Sequence, residues 1–351
     1  FIILLVSLIK FLKILVIFFP SLLIANDFKP LQKGKIEFDT YYTFDYSRLY
    51  SEEFSKSPLR GKGTLNLPKK ISELDKVPLV IILHTSGGIK SHRESAYAKF
   101  LNNEGFATFV VDTYGTRKCN ASGTGWKNCI SKISTLDFAT DAYASLDFLK
   151  SHPNLDMNRT ALIGFSMGGD AAMQSLNKDI KDIFSPTTPS FKSVISVYGA
   201  CNNKYDISKT IGSDFHYIVG SNDISYVKEY CDQRYSELKK AGTTSNEYII
   251  EGAVHGYDAN FPIQLIPTSE IPNMFNCQFE FYRDGTVIEA ITGNKVKLDS
   301  TDDLKEKFKI RKNFAFKEIK DCYGKNGLKM GSQSSAVNKT KDLFKSILSL
   351  I

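Results

Sequence analysis

The sequence predicts an α/β fold in which a mostly parallel sheet carries helices on both faces, with an insertion placed before the last helix. Three observations carry this. Short, near-continuous apolar runs recur along the chain, as strands covered on both faces of a parallel sheet require. Amphipathic stretches with core residues at helical spacing separate them. After Pro262 the alternation stops, and it returns only with an amphipathic stretch at the end.

In order, Arg60–Pro68 reads as a strand ended by proline, and Val77–Leu83 (VPLVIIL) as the first core strand. Ser91 and Glu94 have capping-box spacing ahead of Ala96, Tyr97, Phe100 and Leu101, which share one helical face. Gly105 stops that helix, and Phe106–Val111 is the next strand. Ser134 caps a helix running through Lys150, with Phe138, Ala142, Leu146 and Leu149 inward. Thr160–Phe165, Ser193–Tyr198, Phe215–Val219 and Glu247–Glu251 read as strands, and Gly169–Leu176 and Tyr226–Lys240 as helices. Residues 262–333 read as a loop, a hairpin-like stretch turning at Asp284-Gly285, charged helical material near Thr301–Lys309 and a Gly-rich loop over Tyr323–Gly331. Ser335–Leu350 is the closing helix. The expected organisation is a core over 26–261, an insertion over 262–333 acting as a lid or as a disulfide-stapled subdomain, and the closing helix within 334–351.

Composition narrows the classes. With 351 residues, 42% hydrophobic and 24% charged, the chain is ordinary globular protein. The net charge of +7 is mild, and no block of five Lys or Arg offers a nucleic-acid footprint. None of the six cysteines forms a CxxC pair, which excludes a zinc ribbon. Residues 1–25 hold no acid, two lysines (Lys10, Lys13) and the apolar run Ile14–Ile24, which suits a signal peptide and is short for a bilayer span. An uncleaved membrane anchor is the competing reading. Either places the bulk of the chain in the periplasm or outside the cell, with membrane contact only through this segment. Cysteines pair in such a compartment. Proximity suggests Cys119 with Cys129, Cys201 with Cys231 and Cys277 with Cys322, against the alternative of buried free thiols.

The chemistry concentrates at Gly164-Phe165-Ser166-Met167-Gly168, placed directly after a strand and opening a helix. Small flanking residues allow the strained turn that presents a serine hydroxyl, and the helix N-terminus favours developing negative charge. A serine hydroxyl needs a base. Of the five histidines, His255 stands on a Gly-flanked loop after the last strand, whereas His216 lies within an apolar strand, His152 ends a helix, His92 is solvated and His84 opens a loop. Asp223 follows the strand between serine and histidine and is the candidate orienting carboxylate, with Asp206 and Asp258 as fallbacks. The loop His84-Thr85-Ser86-Gly87-Gly88 offers the second oxyanion donor: the Ser86 N–H, with Thr85 the alternative, beside the Met167 N–H.

The series LHTSGG, VVDTYGTR, GFSMGGDAA, GSND and GAVHGYD resembles the dienelactone hydrolase family of the α/β-hydrolases over about residues 60–260 plus the last helix. The resemblance implies an eight-strand-type sheet, hydrolysis of a small-molecule ester or lactone, and neither metal nor organic cofactor. It marks Asp112, Tyr114 and Arg117 as lying on a loop at the pocket edge, and Thr85 joins Tyr114 and Arg117 as a pocket candidate. The founding enzymes carry cysteine where Ser166 stands and an acidic residue where Thr85 stands, which moves the expectation from dienelactones towards general carboxylic esters. The function expected is therefore an exported serine hydrolase acting through an acyl-enzyme on Ser166. Competing classes are a peptidase or acyltransferase of the same fold and a non-catalytic exported binding protein. Reaction with a fluorophosphonate separates the enzymes from the last.

Overall fold

The computed structural model describes residues 28–351, so the apolar leader lies outside the described residues. The centre is an eight-stranded sheet built from β1 (Gly34–Tyr41), β2 (Pro58–Asn66), β3 (Val77–Leu83), β4 (Ala107–Val111), β5 (Leu155–Phe165), β6 (Ser193–Val197), β8 (Asp214–Gly220) and β9 (Ser245–Ile250). The spatial order is β1-β2-β4-β3-β5-β6-β8-β9. β1 and β2 are antiparallel to their neighbours, and the six strands from β4 to β9 in that order run parallel.

The apolar runs explain the layering. Along β3, Leu79, Ile81 and Leu83 enter one core while Val80 and Ile82 enter the other, and β5 divides likewise between Leu162 and Ala161, Ile163 and Phe165. The first core is covered by the helices Thr135–Leu149, Met167–Gln174, Lys178–Phe184 and Lys228–Lys240, the second by Glu94–Asn103 and Ser334–Leu348. Each fully buried aliphatic side chain contributes about 1.5–3 kcal/mol. Ser134 and Asp137 form the reciprocal cap of Thr135–Leu149 as its sequence signals.

Two local expectations change. β1 was not anticipated, although Ile36, Phe38 and Thr40 alternate inward along it. The Ser91/Glu94 spacing is not a capping box: the helix begins at Glu94, its N-cap Arg93 makes no side-chain cap, and the Glu94 carboxylate turns back to the preceding loop.

Residues 262–333 are tied to the core. β11 (Phe279–Phe281) pairs in parallel with β7 (Asn203–Tyr205), a strand of the core segment, and continues antiparallel into β12 (Thr286–Glu289) and β13 (Lys295–Lys297). The turn at Gly285 has φ +78°, which glycine accommodates. β14 (Leu328–Met330), inside the segment read as a loop, pairs with β10 (Gln264–Ile266). A buried ion pair of 3.0 Å joins Lys307 to Asp45. All three proximity-based disulfides are present, Cys119–Cys129, Cys201–Cys231 and Cys277–Cys322. Among the described residues no helix is long and apolar enough to cross a membrane.

Candidate active site

The chain reverses its direction of sheet growth at β3: β4 lies on one side and β5 on the other. Crevices form at the carboxyl ends of strands flanking such a reversal. Ser166 follows β5 and opens the helix Met167–Gln174, with φ +49° and ψ −115° in a strained elbow. The flanking glycines are required sterically. A Cβ on Gly164 would stand 1.9 Å from the Gly168 carbonyl oxygen, and one on Gly168 would stand 2.7 Å from that of Leu83.

Ser166 Oγ lies 3.1 Å from His255 Nε2, and His255 Nδ1 lies 2.9 and 3.1 Å from the two carboxylate oxygens of Asp223. Because Nδ1–H donates to Asp223, Nε2 presents its lone pair to the serine hydroxyl. Three strand ends, those of β5, β8 and β9, supply these residues. Gln333 fastens the histidine loop by accepting the Val254 N–H at 2.8 Å and donating to the Gly252 carbonyl at 3.1 Å. Burial depresses the His255 pKa, but the charge and hydrogen bond of Asp223, helped by Asp170 and Asp258, outweigh it and raise the value overall.

The amides of Ser86 and Met167 make no hydrogen bond to any of the described residues, and both residues border the cavity that contains Ser166. The Thr85 N–H is engaged, donating to Glu94 Oε1 at 3.3 Å. Glu94 is fully buried and also accepts the Lys90 N–H and Arg93 Nε–H, each at 2.8 Å, while Arg93 donates to Thr85 Oγ1 at 2.8 Å. This clamp holds the loop after β3. Of the fallback acids, Asp206 pairs with Arg283 at 3.2 Å, and Asp258 accepts the Tyr198 hydroxyl at 2.7 and 2.8 Å.

Two pocket candidates are corrected. Tyr114 is buried beneath the loop with its hydroxyl 3.5 Å from Met167 Sδ. The Arg117 guanidinium is fully buried, 2.7 Å from Asp141 and 3.3 Å from Asp137. Neither borders the cavity; the loop after β4, N-capped by Asp112, turns inward as the short helix Thr113–Thr116. Thr85 does border it.

That cavity is about 520 Å³ and mostly apolar, bordered by Tyr46, Trp126 and Leu136 from the core and by Phe275, Phe281 and Phe314 from 262–333. Sequence reasoning missed this contribution because nothing in the spacing of 262–333 announces where its aromatics face. It also missed Asp170, one helical turn after Ser166, whose carboxyl accepts the Ala200 N–H and is pushed up to about 7 by burial. The group Cys277, Glu289 and Cys322 is compact enough for an ion, yet both thiols are bonded and Glu289 accepts the N–H groups of Gln278, Ile291 and Thr292.

The sheet order, the two helical layers and a serine elbow after β5 define an α/β-hydrolase. The sequence model of the dienelactone hydrolase family matches residues 62–269, more than half of the chain. The chain belongs to the dienelactone hydrolase family. Among solved structures it is similar to the dienelactone hydrolase-like promiscuous phosphotriesterase P91 from metagenomic libraries, at 18% identity over 64% of this chain and 84% of that one, TM-score 0.49. It is similar to the dienelactone hydrolase of Anabaena variabilis at 19% identity over 64% and 88%, TM-score 0.40. For Est1E of Butyrivibrio proteoclasticus the values are 16%, 56% and 86%, TM-score 0.40. No curated protein matches the chain.

Proposed function

We propose that this protein is an exported serine hydrolase that cleaves a carboxylic ester or lactone through an acyl-enzyme on Ser166. The observation that carries the reading is the continuous Ser166–His255–Asp223 hydrogen-bond chain opening into a cavity beside two unengaged amides. His255 Nε2 takes the Ser166 proton as Oγ attacks the ester carbonyl, and Asp223 stabilises the imidazolium. The Ser86 and Met167 N–H groups meet the oxyanion, each such donor being worth about 10²–10³ in kcat. The imidazolium then protonates the leaving alcohol. His255 next activates a water that attacks the acyl carbon, and collapse of the second oxyanion frees the acid and restores Ser166. Three disulfides and the apolar leader support export.

Fluorophosphonate labelling of the purified protein, followed by peptide mapping, tests the reading. Modification at Ser166, together with a fall in turnover of about 10⁴ or more in Ser166→Ala, is expected. Labelling elsewhere, or near-parental hydrolysis of 4-nitrophenyl butyrate by Ser166→Ala, refutes it.

A further inference from the structure

The described residues hold several arginines in or near the core, and they differ in one respect. Arg48 donates to the Glu53 carbonyl and Ser57 Oγ, Arg93 pairs with Glu94, Arg117 with Asp137 and Asp141, and Arg234 with Glu237. The Arg311 side chain makes no hydrogen bond or ion pair with any of the described residues. It stands on the helix Leu304–Asn313, borders the same cavity as Ser166, and stacks its guanidinium over the Phe44 ring at 5.3 Å. The cavity is mostly apolar, with Phe44, Val296, Leu298 and Phe314 among the residues that line it.

A guanidinium withdrawn from bulk water without a counter-charge is costly. Burial accordingly lowers the Arg311 pKa, while Asp137, the charge that raises it most, is already engaged by Arg117. The nearby hydroxyls of Tyr42, Tyr114 and Tyr205 are neutral at physiological pH, and none hydrogen-bonds to Arg311. Its fork of N–H donors is thus open to a ligand, and its geometry matches a carboxylate or phosphate. Arg311 lies beyond residues 62–269, the stretch that the family model matches.

We infer that Arg311 forms an anion subsite at a distance from Ser166, and that the substrate is an ester whose apolar body ends in a carboxylate or another oxyanion. The inference rests on the ester-hydrolase reading for its substrate and deepens it. The ester carbonyl sits at Ser166, the apolar body along the aromatic wall, and the anionic end on the guanidinium. No covalent step involves Arg311.

The test compares the mono-4-nitrophenyl ester of adipic acid with 4-nitrophenyl hexanoate, which has the same acyl length without charge, and with 4-nitrophenyl 5-phosphonopentanoate. The wild-type enzyme should prefer an anionic ester, and Arg311→Met should cut the anionic-to-neutral ratio of kcat/KM about 10- to 100-fold, as loss of a charged hydrogen-bonded pair implies. The carboxylate and phosphonate arms identify which anion is taken. Arg311→Gln carries the same comparison if the methionine variant does not fold. A wild-type ratio near 1, or a ratio unchanged in the variant that folds, overturns the subsite. Equilibrium binding of the adipate and hexanoate esters to Ser166→Ala separates the two claims. If the wild type hydrolyses none of these esters, the hydrolase reading fails, and Arg311-dependent tighter binding of the anionic ester still upholds the subsite. Equal binding overturns it.

Discussion

Glu94→Gln isolates the part of the site that no nucleophile-centred reading would find. The carboxylate accepts three donors, from Lys90 N and Arg93 Nε at 2.8 Å and from Thr85 N at 3.3 Å, in a fully buried position. A glutamine keeps one acceptor oxygen and turns an NH2 group towards a donor. Arg93 then retains Thr85 Oγ1 at 2.8 Å and the Gly88 carbonyl at 3.3 Å but loses its counter-charge. Breaking a buried pair from one side costs about 3–5 kcal/mol, more than the few hydrogen bonds fixing this half-buried loop can resist. The loop 84–90 should therefore shift and relieve the strain, carrying the Ser86 amide away from the oxyanion position. The expected result is a fall in kcat of about 10²–10³ with KM changed less than about threefold, since the lost donor acts on the transition state. Steady-state kinetics with 4-nitrophenyl butyrate and urea unfolding on the same preparation measure both. A variant with kcat within threefold of the parent would falsify the oxyanion role of this loop, whatever its stability.

Two further outcomes follow from buried charges. In Asp223→Asn the groups raising the His255 pKa are weakened while burial still lowers it, so the acid limb of the kcat/KM profile should move to lower pH. Turnover should fall by about 10⁴ as the imidazole loses its tautomer, and an unmoved limb would contradict the assignment. Arg117→Met leaves Asp137 and Asp141 buried without a cation and should cost about 3–5 kcal/mol by urea unfolding. Burial already raises the Asp141 pKa, and loss of Arg117 raises it further. A carboxyl whose folded value is raised favours folding at low pH and disfavours it as pH climbs through that value, so the deficit should shrink between pH 8 and pH 5. A pH-independent deficit would mean that lost packing, not charge, is responsible.

The sheet was legible because its parallel strands are covered on both faces and so read as unbroken apolar runs; β3 and β5 needed no partner information. Ser166, Asp223 and His255 were legible as candidates because each lies just past a strand end, where turn residues and chemistry coincide. Glu94 was misread because its spacing from Ser91 mimics a cap, and spacing does not reveal that a carboxylate turns away from its own helix. β14 was hidden by length: three residues among glycines carry no periodicity, and only pairing with β10 makes them a strand.

The contrast between Arg117 and Arg311 shows which kind of inference a sequence permits. The motif containing Arg117 suggested a pocket residue, but two acidic residues one helical turn apart, Asp137 and Asp141, draw that guanidinium inward and neutralise it. Arg311 lies on the helix Leu304–Asn313, just past the stretch that reads as charged helical material near Thr301–Lys309, and no acid in that helix reaches it. It meets the cavity because the pairing of β11 with β7 and the Asp45–Lys307 pair fix the segment to the core, while the Cys277–Cys322 bond closes the segment on itself. Those contacts are separated by tens to hundreds of residues in sequence and invisible to local pattern. In the proposed reading the reactive centre and the selectivity of the cavity therefore come from different parts of the chain. Substitutions at Arg311 should alter which ester is preferred, whereas substitutions at the Ser166 elbow should abolish turnover of every ester alike.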